Sequence, residues 1–185
     1  VEEAATDRAV RELTGGAGRV DVIVSEWMGY ALLYENMLDA VVCARDRWLA
    51  PDGIVAPSHA LLYVAGLECA DAYGARRAFF EDRPYGVDLR AVQRPAFAEA
   101  SIEVVDPAAV AAGPALLDEI AIRTVPARAF ADRTYRLALP VTRAVEAVHC
   151  ICIYFDCDFR EPRDDTGVPP VVLSTAPDHP PTHWK

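Results

Sequence analysis

Two glutamates, Glu26 and Glu35, lie nine positions apart and are the residues of this sequence best suited to chemistry. A carboxylate pair can flank a sugar in glycoside hydrolysis, coordinate a metal ion or hold a planar cation. No histidine lies near this stretch to complete a metal site, and glutamates on one strand and the next helix rarely flank a sugar from both sides. A guanidinium presents five donors in a fixed fork, so two facing glutamates would hold it bidentately.

A predicted strand positions the first glutamate. The short β-branched run at residues 20–24 is typical of an interior strand that ends just before Glu26. Ligands of open α/β sheets sit beyond the carboxyl ends of the strands, which suits a functional acid. A helix cap explains Glu26 equally well, so both interpretations stay open.

The second glutamate is predicted to lie on the first turns of a helix. Apolar residues recur at helical spacing from Tyr34 to Leu49, and Pro51-Asp52-Gly53 supplies a stop. Glu35 falls outside this apolar stripe. By spacing alone, a solvated carboxylate near a helix N-terminus is therefore the simpler interpretation of Glu35.

Three separated motifs carry a resemblance to a known family. Residues 25–38 resemble the double-glutamate loop of the protein arginine methyltransferases, and the match extends through residues 44–53 to Pro57. Tyr85-Gly86-Val87-Asp88 is similar to the end of that family's dimerisation arm. Thr182-His183-Trp184 resembles its threonine-histidine-tryptophan loop. The motifs follow the family's order and together span most of the chain.

The resemblance implies a fold of two parts. Residues 1–57 would be the C-terminal end of a Rossmann-like methyltransferase domain, and residues 58–185 a β-barrel domain with a helical dimerisation arm inserted at 70–94. The activity would be methyl transfer from S-adenosylmethionine to guanidinium nitrogens of arginine-rich protein substrates, such as histone tails or RNA-binding proteins. Met28 and Met37 resemble the type I branch, which makes asymmetric dimethylarginine. The protein would act as a homodimer.

Roles for single residues follow from the same resemblance. The glycines at 15–18 precede the predicted strand, whereas a nucleotide loop follows a strand, so no cofactor loop is predicted and residues 1–185 are expected to be inactive alone. About nine extra residues separate Glu2 from the strand and weaken its match. The resemblance implies catalysis by Glu26 and Glu35, substrate binding by Met28, Tyr30, His183 and Trp184, and cofactor binding by Glu2 and Met37.

Composition restricts the partners. The 185 residues carry a formal net charge of -10, and Lys185 is the single lysine, which argues against a nucleic-acid surface. An acidic body favours cationic partners, although acidity also serves solubility. A non-catalytic acidic module that binds arginine-rich peptides therefore stays the alternative function.

The cysteines and the apolar runs bear on location. Five cysteines follow no disulfide or zinc spacing, so they are read as reduced thiols of a nuclear or cytosolic protein, with no metal site. No apolar run is long enough for a membrane helix, and no membrane association is expected.

Periodicity predicts the remaining elements. A helix is expected at residues 1–13 and a helical run from residue 70 that ends at Phe79 and Phe80, which are either core or interface residues. After Pro57 the pattern changes to short strands punctuated by Pro and Gly. The predicted strands are residues 60–67, 102–105, 120–125, 135–139, 145–159 and 171–174.

Overall fold

The first part of the chain is a strand–helix–strand unit. The computed structural model describes residues 2–160, 169 and 171–184, with side chains from Ala5 onward. Helix α1 spans Glu2–Leu13, strand β1 Val20–Val24, helix α2 Leu38–Trp48 and strand β2 Leu49–Ala56. β1 and β2 pair in parallel, as a helical crossover between them requires. The predicted helix at the start and the strand at 20–24 are confirmed.

Two expectations about α2 are wrong. Glu35 lies before the helix, which begins at Leu38, because Asn36 has a φ of 54° and a left-handed residue cannot join a right-handed helix. Pro51-Asp52-Gly53 does not stop the helix, which already ends at Trp48. The tripeptide lies inside β2, where a shift in register lets Val22 pair with Ile54 after Val20 has paired with Leu49.

The second part is an antiparallel sheet. Its strands are β3 (His59–Leu67), β4 (Val110–Ala121), β5 (Cys150–Phe159) and β6 (Val171–Ser174), in the order β4-β3-β5-β6. The predicted strands at 60–67 and 171–174 are confirmed, and β5 begins five residues later than expected. The end of a methyltransferase-type α/β unit followed by a β unit agrees with the predicted fold class. The described strands form an open sheet rather than a closed barrel.

Three other strand predictions fail. Residues 102–105 and 135–139 are irregular and pair with none of the described strands. Residues 122–125 form a turn after β4, although Ile122 and Val125 are buried as a core strand would be. The first part of β4 was missed because Ala, Gly and Pro are depleted in strands.

Two helices are inserted between β3 and β4. Helix α3 spans Ala70–Glu81 and helix α4 spans Arg90–Ala98, and residues 70–98 are called the helical insertion below. The second helix, which periodicity did not predict, runs past residue 94. Phe97 packs against Tyr73 at 5.2 Å and Phe80 at 6.1 Å between ring centroids, so the two helices share a small aromatic core.

The main core lies between α2 and one face of the sheet. Buried side chains of the first part meet Leu62, Ile120 and Phe155 of the sheet in one cluster. This shared core holds the carboxyl end of β1 against the antiparallel sheet. Among the described residues, no helix combines the length and the apolar character needed to cross a membrane.

Candidate functional site

The residues between β1 and α2, numbers 25–37 and called the glutamate loop here, are held by a tight turn. The amide of Gly29 donates to the carbonyl of Leu32, and the amide of Leu32 donates back, both at 2.9 Å. Ala31 and Leu32 have φ values of 48° and 68°, which cost about 1–2 kcal/mol each. Leu32 is almost fully buried, and that burial contributes about 1.5–3 kcal/mol in return. Burial of Leu32 therefore offsets much of the backbone cost of this turn.

The closing segment of the chain is joined to this loop. The indole Nε1 of Trp184 donates to the carbonyl oxygen of Met28 at 2.7 Å. The Trp184 ring also meets Phe155 of β5 edge-on, with centroids 5.6 Å apart, and the ring of His183 lies 3.7 Å away. Three predicted site residues, Met28, His183 and Trp184, are thereby connected to one another, and Trp184 also contacts the sheet. Residues 182–184 are positioned by a hydrogen bond and an aromatic contact, not by a regular element.

The two glutamates are exposed. Neither Glu26 nor Glu35 makes a hydrogen bond or an ion pair within the described part of the chain. The backbone nitrogen of Glu35 lies only 3.1 Å from the point where a Cβ on Gly29 would stand, and its own Cβ and Cγ lie 3.2 Å from that point. The side chain of Glu35 therefore packs over Gly29, and any larger residue at position 29 would force Glu35 to move.

The negative charge of Glu26 affects the pKa of a buried cysteine. Burial raises the pKa of the Cys157 thiol to about 12, and the negative charges of Asp156 and Glu26 add to this effect. Cys157 is fully buried in β5 and belongs to the main core. The carboxylate of Glu26 consequently lies near the sheet as well as at the end of β1.

The other predicted site residues occupy different surroundings. Met28 is buried beside Trp27, Tyr30 is 37% exposed, and Met37 is partly buried against the core. Glu2 is the first residue of α1, and its side chain lies outside the described residues. The structure thus connects Met28, His183 and Trp184, while nothing described brings Glu2 to them.

Sequence reasoning missed the role of Arg45. Its guanidinium Nη1 donates to the carbonyls of Ile122 at 2.6 Å and Val125 at 2.8 Å, and its side chain is only 9% exposed. These bonds fasten α2 to the turn that follows β4. The signal was present in the sequence, because Arg45 lies three and four positions after Val42 and Val41 on the buried face of the helix.

A second link, also missed, joins α1 to α2. Asp7 accepts from Arg47 Nη2 at 2.6 Å and from Trp48 Nε1 at 2.7 Å. The hydrogen bond from Arg47, followed by the bond from Trp48, lowers the pKa of the Asp7 carboxyl. Helix α2, which follows the glutamate loop, is therefore hydrogen-bonded to α1 through Asp7 and to the turn after β4 through Arg45.

This geometry can bind a cation. Two carboxylates of the glutamate loop have no partner among the described residues, so their acceptor capacity is available to a ligand. Tyr30 and Tyr34 of the same loop are exposed, and an aromatic ring can pack against the apolar stem of a long side chain. An arginine side chain has both the charge and the stem that such a site accommodates.

Comparisons with known proteins agree with this description. The family model of the arginine methyltransferase oligomerization subdomain matches residues 58–185. The chain is 38% identical over 178 residues to protein arginine N-methyltransferase 1 of Caenorhabditis elegans, covering 95% of this chain and 48% of the relative. It is 38% identical over 167 residues to protein arginine N-methyltransferase 8-B of Danio rerio, covering 90% of this chain and 38% of the relative. The chain thus spans less than half the length of these two relatives.

Solved structures give the same answer for the fold. The Trypanosoma brucei PRMT1 enzyme-prozyme heterotetrameric complex with AdoHcy superposes with a TM-score of 0.80 at 31% identity, over 98% of this chain and 60% of that one. Arabidopsis thaliana protein arginine methyltransferase 10 gives a TM-score of 0.70 at 27% identity, over 96% of this chain and 61% of that one. The family model, the curated relatives and the fold agree, and the chain belongs to the protein arginine N-methyltransferase family.

Proposed function

We propose that the protein methylates arginine side chains of arginine-rich proteins and that Glu26 and Glu35 clamp the arginine. The observation that carries this proposal is the pair of exposed carboxylates on the loop that the Trp184–Met28 bond closes, neither of which has a partner among the described residues. The formal net charge of -10 supports a cationic substrate. Met28, Tyr30, His183 and Trp184 line the site around the clamp.

The glutamates act by positioning and electrostatics. Two carboxylates on a guanidinium draw its positive charge toward the terminal nitrogen that they bind. Lone-pair density is then left on the other terminal nitrogen, which receives the methyl group. The proton of that nitrogen is lost with or after the transfer, because a free guanidine is too basic to exist beforehand. Holding the nitrogen in line with the methyl group supplies the rest of the rate acceleration.

S-adenosylmethionine supplies the methyl group in the proposed reaction. The Trypanosoma brucei relative was solved as a complex with AdoHcy, which supports a donor of this type. Residues 1–185 fit the arginine side better than the donor side, since the glycines at 15–18 follow α1 and precede β1. Met37 is partly buried against the core and is the described residue assigned to the donor. Isothermal titration of residues 1–185 with the donor is expected to give no saturable binding, and clear saturation would contradict this assignment.

The helical insertion is proposed as a dimerisation arm. Phe79 is 49% exposed, Tyr85 95% and Val87 54%, so its far end presents apolar surface. The family model carries the name oligomerization subdomain, and the Trypanosoma brucei relative is a heterotetramer. Both support assembly of this chain with a second copy. A nuclear or cytosolic location is part of the same proposal.

Product analysis tests the proposed activity. The full-length protein is incubated with an arginine-rich peptide and a methyl-labelled donor, and the products are separated by mass spectrometry. We expect monomethylarginine followed by asymmetric dimethylarginine, since Met28 and Met37 match the type I branch. Peptide binding without any transfer would favour the acidic binding module instead. Formation of symmetric dimethylarginine would overturn the type I assignment but would leave the proposed arginine methylation in place.

A further inference from the structure

Two cysteines meet at the base of the helical insertion. The Sγ atoms of Cys69 and Cys150 lie 3.3 Å apart, although the residues are separated by 81 positions in the chain. Cys69 directly precedes α3, and Cys150 is the first residue of β5. The contact therefore joins the insertion to the central sheet at the point where the chain leaves β3.

The backbone around both thiols is held in place. Leu67 pairs with Cys150 in the ladder between β3 and β5, and the amide of His149 donates to the carbonyl of Leu67 at 2.8 Å. The amide of Cys69 donates to Nδ1 of His149 at 3.2 Å. These hydrogen bonds fix the backbone at both Cys69 and Cys150. The fold itself therefore keeps the two sulfur atoms close together.

The separation suits a disulfide better than a metal site. A disulfide has an S–S distance of about 2.05 Å, so the sulfur atoms need to approach by little more than about 1 Å. Within the described ranges, no three His, Cys, Asp or Glu side chains form a group that could hold a metal ion. The remaining cysteines are Cys43, Cys152 and Cys157, and within the described residues none of them contacts another sulfur.

We propose that Cys69 and Cys150 form a reversible disulfide when the protein meets a peroxide, and that this bond fastens the helical insertion to β5. Neither the family model nor the relatives' names assign a redox site to this chain. The inference does not depend on the proposed methyl transfer. In a reducing compartment such a bond is transient, as expected of a regulatory thiol pair.

The chemistry is balanced and assigns a role to each thiol. Cys150 is exposed, so its thiolate attacks one peroxide oxygen, the O–O bond breaks and a sulfenic acid and water result. The sulfur of Cys69 then attacks the sulfenic sulfur, the S–O bond breaks and a second water leaves. Two thiols and one hydrogen peroxide thus give one disulfide and two waters.

Burial favours this order of events. It raises the pKa of the Cys69 thiol to about 11, with further contributions from the hydrogen bond and the charge of Cys150. The half-buried Cys69 consequently stays protonated at neutral pH and is a poor first nucleophile. Once Cys150 has been oxidised, the Cys69 sulfur is close enough to attack it. Cys69 therefore has the role of the resolving cysteine.

Peptide mapping of the wild-type protein is the primary test. The purified protein is treated with a small excess of hydrogen peroxide, alkylated and digested without reduction. We expect one cross-linked peptide that contains Cys69 and Cys150, a mass loss of about 2 Da and full reversal by dithiothreitol. Free, alkylated Cys69 together with Cys150 as a sulfinic or sulfonic acid would overturn the proposal, and so would cross-links between chains.

Variants provide the second test. The bond closes a long loop and restricts the unfolded chain, so peroxide is expected to raise Tm by roughly 5 °C or more. Cys150→Ser should abolish this rise, whereas Cys43→Ser, which removes another exposed cysteine, should retain it. If Cys150→Ser does not fold, the peptide map of the wild type decides the question. An equal rise in Tm in both folded variants would contradict the assignment.

Discussion

The glutamate loop and the helical insertion use their side chains in opposite ways. In the loop, the apolar residues Trp27, Met28 and Leu32 are buried. The charged Glu26 and Glu35 are exposed and have no partner in the described part of the chain. In the insertion, two pairs of opposite charges bind each other, and three apolar residues at its far end are exposed. Arg77 binds Glu81 and Arg90 binds Asp88, each at 2.7 Å, whereas Phe79, Tyr85 and Val87 face solvent.

The difference indicates two kinds of ligand. Carboxylates with free acceptor capacity on a rigid loop suit a cation, because binding replaces water by charge-assisted hydrogen bonds. Exposed aromatic residues beside self-paired charges suit a protein surface, since interface cores are rich in aromatics and poor in unpaired charge. One region is therefore interpreted as the arginine site and the other as the dimer contact.

The largest effect is expected from breaking the apolar end of the insertion. The double variant Phe79→Glu, Tyr85→Glu places charge on the proposed contact and leaves the packing of Phe80 on Phe97 in place. Loss of aromatic anchors and burial of new charge should weaken the dimer at least about a hundredfold. Sedimentation velocity of the full-length protein should then report a monomer.

A charge elsewhere serves as the control for that variant. Val104 is 60% exposed and lies outside the insertion, so Val104→Glu should leave the dimer intact. A dimer that survives the double variant would mean that the exposed aromatic residues serve another purpose. Dissociation by Val104→Glu as well would point to a general effect of added charge.

A smaller effect is expected at Gly29. In Gly29→Ala the new Cβ would stand 3.1 Å from the backbone nitrogen of Glu35 and 3.2 Å from its Cβ, so the glutamate must shift. Misplacing one arm of the clamp should lower kcat/KM roughly tenfold. Gly74→Ala in α3 is the matched control, since its Cβ meets nothing within 4 Å. It should keep the activity and add about 0.5–1 kcal/mol of stability.

The smallest effect is expected at the bond that closes the loop. Trp184→Phe removes the donor to the Met28 carbonyl, which should cost about 0.5–1.5 kcal/mol and lower Tm by a few degrees. Affinity for an arginine-rich peptide, measured by titration, should fall roughly fivefold as the loop loosens. Trp48→Phe removes a comparable bond to Asp7. It should lower Tm similarly and leave the affinity unchanged, and equal losses of affinity would contradict a specific role for Trp184.

Residue types at fixed spacing were sufficient to predict part of the site. The β-branched run of β1 predicted where Glu26 emerges, and the motif at 182–184 predicted a loop that the structure joins to Met28. Both features depend on local sequence or on a distinctive motif. The assigned roles of Glu26 and Glu35 remain predictions, because no ligand contact tests them.

Features that depend on tertiary context were not predictable. Glu35 precedes α2 because left-handed residues at Ala31, Leu32 and Asn36 interrupt the helical pattern, and no glycine marks these positions. β4 begins in an Ala-rich run that has poor strand propensity and pairs because β3 offers an edge. The Arg45 bonds to residues 122 and 125 join positions nearly eighty apart, which periodicity cannot detect.

Kinetics of the glutamate variants test the clamp most directly. In the full-length protein, Glu26→Gln and Glu35→Gln should each lower kcat/KM on the order of a hundredfold or more, because a desolvated guanidinium would lose its charged partner. Binding of S-adenosylmethionine, measured by titration in the same variants, should stay within about twofold, since the glutamates are assigned to the arginine alone. Glu103→Gln, an exposed glutamate outside the loop, should change neither quantity. Near-normal methylation by either Glu26→Gln or Glu35→Gln would contradict the clamp.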